Sequence, residues 1–323
     1  MPFALKALAK AGLVIGAILT LIGLLARWFP ALDIVNNGLP FLLVGTLIVA
    51  ILAALARSGL LTVLALLLAI IDCTHFTLAL EGGAQEVAEG APRFLRVVTF
   101  NVWHHNDRID DIAKFLSDTD ADLVVMQEMT PDNWSKLREV LGSRYPYSLG
   151  DYGLVILSKY KIDENGRVDR GGMPPWASLM LRWAKIEVNG TQVTFAGAHL
   201  ARPFYPKLQY ADVVTLADFV RHQTGPLIVA GDLNVTPWTD KLTGFTQATG
   251  LKRYNTFHFT WSLHARGLTL LPFVAIDHVF ASPGFAKIAT QAGPRLGSDH
   301  RPVIADIALA PTPPCSPSGK MNR

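Results

Sequence analysis

The chain is poor in the features that mark several large functional classes. It has two cysteines in 323 residues, Cys73 and Cys315. One lies in an apolar run and the other in a Pro/Ser-rich tail, so they make neither a plausible disulfide nor a metal site. An excess of charge of one sign is also lacking, with a net charge of only +3 at pH 7. No basic field therefore points to nucleic acid by itself. No basic-aromatic run suited to stacking bases stands out either, and no internal repeat is visible.

The most informative absence is local. No charged residue lies between Lys10 and Arg27, between Asp33 and Arg57, or between Arg57 and Asp72. Half of the chain is hydrophobic, and the excess sits in this region; from about residue 92 the composition is that of an ordinary globular domain. Three transmembrane helices are expected, at about 5–27, 38–57 and 59–80, because a span needs roughly 20 mostly apolar residues. Lys10 fits the first if its ammonium snorkels to the interface. A cleaved signal peptide is the alternative for that segment, but it lacks a clear small-x-small cleavage site and two more apolar segments follow. Buried core helices are disfavoured by very short links and all-round hydrophobicity. Asp72 and His75, spaced i, i+3 near the far end of the third span, read as interfacial residues rather than a functional pair.

Lys6, Lys10 and Arg57 set the orientation by the positive-inside tendency. They place the N-terminus and the two-to-three link in the cytoplasm, with Arg27 arguing mildly against. The acidic segment after span three, and the large domain beyond it, then lie outside the cytoplasm on the plasma (inner) membrane. The expected organisation is a membrane anchor over 1–80, a Gly/Ala/Glu-rich linker over 81–92, a catalytic domain over 93–310 and a disordered tail over 311–323.

Strand and helix signals alternate in the domain. Strands are predicted at 94–101, 122–128, 154–158, 179–188, 191–200, 226–233, 275–282 and 300–309. Helices are predicted at 109–118, 131–141, 207–222 and 239–249. Asn189-Gly190 marks a hairpin. Taken alone, Gly231-Asp232-Leu-Asn234 reads as a turn. Yet Asn101, Glu128, His199, Asp232 and Asn234 all fall at the C-terminal ends of predicted strands. Asp299 and His300 fall just before one, as an antiparallel neighbour would place them. One rim of a mixed sheet would gather all seven.

These segments, Thr99-Phe-Asn101-Val, Val125-Met-Gln-Glu128, Ala198-His199-Leu, Gly231-Asp232-Leu-Asn234, Ile276-Asp277-His-Val and Ser298-Asp299-His300-Arg-Pro, resemble the ordered motifs of the endonuclease/exonuclease/phosphatase superfamily. The resemblance covers about 94–310. It implies an α+β, four-layer α/β sandwich of two mixed β-sheets flanked by helices, here preceded by the three transmembrane helices. It also implies hydrolysis of a phosphate ester or anhydride with a divalent metal, Mg²⁺ or Mn²⁺. Oxygen ligands suit Mg²⁺, and the negative phosphoryl group must be neutralised as water attacks. By the resemblance Glu128 is the principal metal ligand, with Asn101 and Asp299 assisting. Asp232 accepts the proton of the attacking water, or holds that water in line. Asn234, His199 and His300 donate to phosphoryl oxygens, and Asp277 pairs with His300.

The pattern departs from the nucleases after Asn101-Val, where Trp103-His104-His105-Asn106 replaces an acidic or glycine-containing continuation. His104 and His105 could bind metal, but adjacent histidines point apart on a strand, so a loop-surface role is favoured. Two apolar loops, 202–207 and 267–275, adjoin catalytic motifs and suit a lipid-borne phosphate; an ordinary buried strand over 268–275 is an equal alternative. Bacterial VanJ-like proteins share this membrane-plus-domain layout and suggest an undecaprenyl-type carrier. An extracytoplasmic nuclease acting on DNA or RNA is the alternative, disfavoured by the mild charge. A catalytically dead membrane scaffold is the third reading, disfavoured by the intact acid, amide and histidine set.

Overall fold

The computed structural model describes residues 2–168, 179–265 and 268–310. The predicted disordered tail lies outside the described residues. Three helices, α1 (Pro2–Leu25), α2 (Leu39–Leu55) and α3 (Gly59–Ala79), form the N-terminal part. Among the described residues they are the ones long and apolar enough to cross a membrane. Large apolar side chains such as Ile15, Ile18, Ile51 and Ile70 point outward, while the interior is lined by Ala9, Ala53, Ala65 and Ala69. Small residues let helix backbones approach closely. Gly12 shows why: a Cβ there would lie 2.6 Å from Val49 Cγ2.

Asp72 has partners that its sequence position does not reveal. It is buried between the helices, accepting hydrogen bonds from Thr20 (2.7 Å) and Thr46 (3.2 Å) on the two neighbouring helices. An unsatisfied carboxyl in an apolar bundle is costly, so sequence-distant hydroxyls satisfy it. His75, one turn on, instead faces Asp240 of the globular domain at 3.8 Å. The link between α1 and α2 holds a 3₁₀ segment, Pro30–Gly38, in which Asp33 and Asn36 are buried.

The globular domain packs two six-stranded sheets face to face. In chain order its elements are β1 (Leu95–Asn101), α4 (Ile109–Thr119), β2 (Leu123–Met129), α5 (Pro131–Leu141), β3 (Tyr147–Leu149), β4 (Gly153–Ser158), β5 (Ile162–Val168), β6 (Met180–Val188), β7 (Thr191–His199), α6 (Pro206–Arg221), β8 (Leu227–Asp232), α7 (Asp240–Thr249), β9 (Lys252–Arg253), β10 (His264–Ala265), β11 (Leu268–Thr269), β12 (Asp277–Ala281), β13 (Phe285–Ala292) and β14 (Val303–Leu309). The first sheet runs β13-β14-β1-β2-β4-β3 and the second β5-β6-β7-β8-β12-β9. Each holds one parallel pair, β1 with β2 and β7 with β8. Parallel neighbours need a crossover, supplied by α4 and α6.

Four layers follow from side-chain alternation. Leu95, Val97, Leu123, Val125, Phe195, Ile228 and Ala230 meet between the sheets. Val98, Phe100, Val124 and Met126 point outward onto α4 and α5, while Ala196, Val229 and Phe280 pack on α6 and α7. The α4 stripe Ile109, Ile112, Ala113, Leu116 is buried, as its spacing dictates. Helix α5 starts at Thr130, whose hydroxyl accepts from Asn133 N, with Pro131 in the first turn. The hairpin at Asn189-Gly190 forms with both residues at positive φ, as a type I′ turn requires.

Residues 81–92 are an ordered strap. Ala84 N donates to Arg253 O on β9 and Val87 N to Lys287 O on β13. These are the edge strands of the two sheets, so the strap occupies backbone groups that an open edge would expose.

Candidate active site

The apolar layer between the sheets turns polar at one rim. On β1 the inward face reads Leu95, Val97, Thr99, Asn101. On β7 it ends Val193, Phe195, Gly197, His199, and on β8 Ile228, Ala230, Asp232. On β12 it runs from Asp277 to Val279 and Ala281. A period of two therefore aims Asn101, His199, Asp232 and Asp277 into the same space. Register completes the arrangement, with Asp232 opposite His199 on one side and Asp277 on the other. The C-terminal ends of the two parallel pairs supply Asn101, Glu128, His199 and Asp232, the usual place for ligands in such sheets. Gly231 permits the close pairing: a Cβ there would lie 1.9 Å from Ala198 O.

Glu128 breaks the alternation. Val124 and Met126 face the helices, and an unbroken strand would send Glu128 after them. Instead the β2/β4 register shifts between Gln127 and Met129, and Glu128 takes φ 57°. The bulge turns its carboxylate toward the rim, where Asn101 Nδ2 donates to it at 3.3 Å. Bulges commonly re-aim a side chain beside a site, and a non-glycine residue at positive φ marks local strain held by its surroundings.

The centre is Asp232, buried, with Oδ2 accepting from Asn101 Nδ2 at 3.0 Å. His199 Nε2 and His300 Nε2 lie 3.6 and 3.7 Å from the same oxygen. His300 Nδ1 lies 2.8 Å from Asp277 Oδ2. Asn234, at φ 54°, donates its backbone N–H to Asp232 Oδ1 at 2.9 Å. Its side-chain amide is committed to Leu200 O at 2.9 Å, with a longer contact to Asp232 Oδ2 at 3.5 Å. Asp299 joins more loosely: Ser298 Oγ bonds Asn101 O at 2.7 Å, and Trp261 Nε1 donates to Asp299 Oδ2 at 3.2 Å.

Two side chains touch the rim beyond those singled out in the sequence for roles there. His104 is half exposed, but its Nδ1 lies 2.7 Å from Glu128 Oε2. Arg202 approaches Glu128 Oε1 at 3.5 Å. Both line an open groove with Tyr152, Met180 and Tyr205. Arg202 was signalled by its place in the loop leaving the strand end at His199. His104 was obscured because Trp103 takes φ 61°, so the alternation assumed for a strand does not apply. The loop 268–275 is not a buried strand. It holds only the short β11, and Leu271 is 82 % exposed.

Electrostatics divides the rim in two. Burial pushes the Glu128 carboxyl up, but the nearby His199 and hydrogen bonds from His104 and Asn101 outweigh it and hold the group down at about 2. Burial likewise works against a charged His300, yet Asp277 and Asp232 on either side raise the ring to about 10. Burial, with the neighbouring Asp277, raises Asp232 against the pull of His300, His199 and Asn101. A protonated His300 thus sits between two carboxylates.

Asp232, Asp277 and His300 could hold a metal ion by proximity alone. One nitrogen of that histidine is already bonded to Asp277, and its raised proton affinity opposes metal binding. Glu128 fits a divalent cation better, because it offers the hard oxygens of an ionised carboxylate on the open groove.

Several solved structures share the fold. An endonuclease/exonuclease/phosphatase family protein from Bacteroides thetaiotaomicron is 19% identical, with 66% of this chain and 94% of that one covered and a TM-score of 0.56. D. rerio TDP2 complexed with a single-strand DNA product is 16% identical, covering 67% and 99%, with a TM-score of 0.58. A mannosyl-6-phosphatase from Bacteroides thetaiotaomicron is 20% identical, covering 67% and 100%, with a TM-score of 0.54. No curated protein sequence matches the chain. The family pattern described as "Endonuclease/Exonuclease/phosphatase family" matches residues 98–300, a stretch that contains Asn101, Glu128, His199, Asp232, Asn234, Asp277, Asp299 and His300. Members of this family are phosphoester hydrolases that generally use divalent metals. This chain belongs to the endonuclease/exonuclease/phosphatase family.

Proposed function

We propose that the chain is a membrane-anchored, divalent-metal-dependent phosphohydrolase, of the VanJ-like kind, that cleaves a lipid-borne phosphate ester or anhydride outside the cytoplasm. The observation that carries this reading is where the apolar helices dock. They contact the loops that flank the catalytic rim. Asn37, beside α2, bonds Thr236 and Trp238, just beyond Asn234. Phe41 on α2 meets Phe273 in the loop before Asp277, and Phe76 on α3 meets Trp238. A rim held against a bilayer suits a substrate whose phosphate emerges from that bilayer. The exposed Phe204, Phe257 and Leu271 on neighbouring loops add apolar surface there.

The link between α1 and α2 and the end of α3 both touch the globular domain. With the three helices taken as spans, these two ends would lie on one side of the membrane, and Lys6, Lys10 and Arg57 on the other. This agrees with a plasma-membrane protein whose N-terminus is cytoplasmic and whose catalytic domain is outside. The organisation proposed is an anchor over 1–80, the strap over 81–92 and the catalytic domain over 93–310.

Glu128, with Asn101 and Asp299, would hold Mg²⁺ or Mn²⁺. The bound cation supplies Lewis acidity and neutralises phosphoryl charge. Asp232 Oδ2 takes the proton of the attacking water as the new P–O bond forms and the bond to the leaving oxygen breaks in line. His199 Nε2 and His300 Nε2 donate to non-bridging oxygens. Asp277 holds the Nδ1 side of His300, which aims the other nitrogen inward. Asn234 fixes Asp232 through its backbone N–H, and the amide hydrogen not held by Leu200 O would donate to a phosphoryl oxygen.

Purified full-length protein with Mg²⁺ is to be assayed against a polyprenyl pyrophosphate, a phospholipid, sphingomyelin and DNA. Product is expected from a lipid substrate. Release from DNA alone, falling steeply with salt, overturns the lipid reading in favour of a nuclease. A reporter fused after residue 90 tests the orientation.

A further inference from the structure

The catalytic loop that follows β8 is held from outside the catalytic domain. Asn234 carries a positive φ and is followed by Val235-Thr-Pro-Trp238 before α7 begins. Thr236 N donates to Asn37 Oδ1 at 3.1 Å, and Trp238 Nε1 donates to Asn37 O at 3.0 Å. Pro237 O accepts from Arg253 Nη1 at 3.3 Å, and Nη2 of the same guanidinium reaches Ala79 O and Leu80 O at the end of α3. A cation over the last carbonyls of a helix is favourably placed. The loop is thus clamped between the link after α1 and the terminus of α3.

A second arm reaches Asn234 itself. Asp33 caps α7, accepting from Asp240 N at 3.0 Å and Lys241 N at 2.9 Å. Lys241 Nζ then donates to Gln209 Oε1, and Gln209 Nε2 donates to Asn234 O at 2.7 Å. Asn36 secures the link to α1 by donating to Gly23 O at 3.2 Å and to Asp33 Oδ1 at 2.9 Å. Asp33, Asn36, Gln209 and Lys241 are all buried. Buried polar groups are retained where every member is partnered, and these members converge on one residue of the site.

We propose that Asn37 and Asp33, in the link between the first two apolar helices, are positioning residues for Asp232 and Asn234. The N-terminal helices are in this view part of the catalytic scaffold. The inference deepens the reading above, because it ties turnover to the docked helices, but its first readout does not require any substrate.

The experiment is hydrogen–deuterium exchange on the full-length protein in detergent micelles, comparing wild type, Asn37→Ala, Asn37→Asp and Asp33→Asn. Asn37→Ala removes the acceptor for Thr236 N, and Asn37→Asp retains one. Amides of 234–238 are expected to exchange about tenfold faster in Asn37→Ala, as for the loss of one part-buried hydrogen bond, while β1 and β14 keep wild-type protection. Asn37→Asp restores the loop, and Asp33→Asn loosens 239–242 instead. On whichever substrate of the panel is turned over, Asn37→Ala lowers kcat with KM unchanged. Unchanged exchange at 234–238, or faster exchange throughout the domain, overturns the proposal. A chain that hydrolyses nothing in the panel but shows the local exchange pattern sinks the functional reading and leaves the positioning role standing.

Discussion

Asp72 and Asp232 are each 1% exposed, and their surroundings differ in kind. Asp72 lies among apolar helices and is met by two hydroxyls, Thr20 and Thr46. Asp232 lies at the end of a strand, met by an amide and two imidazoles, with Asp277 beyond. A neighbouring groove opens beside Glu128 and His199. The first carboxyl is satisfied by fixed donors and faces nothing that could enter. The second is held among groups that can carry charge, next to space. Burial of a carboxyl therefore does not make a site; charged partners and an opening do.

The largest effect expected from breaking this contrast is at Asp232. Asp232→Asn keeps the shape but not the proton acceptor, so kcat on the active substrate falls by about a hundred- to ten-thousandfold. Circular dichroism and the unfolding midpoint checked alongside should stay near wild type. A normal rate would remove Asp232 from the chemistry.

Glu128→Gln comes next. It replaces the ionised oxygen pair with a neutral amide, and about ten- to a hundredfold more metal should be needed for half-maximal activity. Chelation of the wild type should abolish turnover and added Mg²⁺ restore it. Activity indifferent to chelator would separate Glu128 from any metal.

His300 sharpens the comparison through pH. Its folded value of about 10 lies above the ordinary 6.5, so its stabilising contribution is complete below pH 6.5 and disappears as pH rises through 10. The unfolding-midpoint difference between wild type and His300→Gln should be widest near pH 6 and close at pH 10.5. A gap that widens with pH contradicts a charged ring between carboxylates.

The smallest effect belongs to Asp72→Asn. Interhelical polar contacts in membranes average about 0.6 kcal/mol, and the amide oxygen still accepts from a hydroxyl. The unfolding midpoint should move by a degree or two and kcat should not change. A large loss of turnover would give Asp72 a role beyond holding helices together.

The sequence was most legible where one rule operated alone. The three apolar helices, the α4 stripe, Pro131 at the start of α5 and the Asn189-Gly190 hairpin all lie where length, period or turn chemistry puts them. It was least legible at sheet edges. Strand β5 reads Ile-Asp-Glu-Asn-Gly-Arg-Val and is largely exposed, so it has no apolar alternation to detect. Strand β13 alternates weakly beyond Phe285-Ala286. The stretch 81–92 reads only as a Gly/Ala/Glu-rich linker, yet it bonds β9 and β13, the edge strands of the two sheets. The hydroxyl partners of Asp72 were hidden from a local reading because they lie 52 and 26 residues away in sequence.

By itself the sequence determined which residues can do chemistry and to which end of each strand they belong. Alternation sets Asn101, His199, Asp232 and Asp277 on faces whose remaining members are apolar, and the folded core buries those members together. Only the tertiary structure decided how the set is completed. A bulge with positive φ turns Glu128 back toward the rim, His104 and Arg202 arrive from loops, and Asn37 and Arg253 close on the segment after Asn234. Period and propensity act over a few residues, whereas these placements depend on hydrogen bonds made by side chains between segments up to 201 positions apart in the chain.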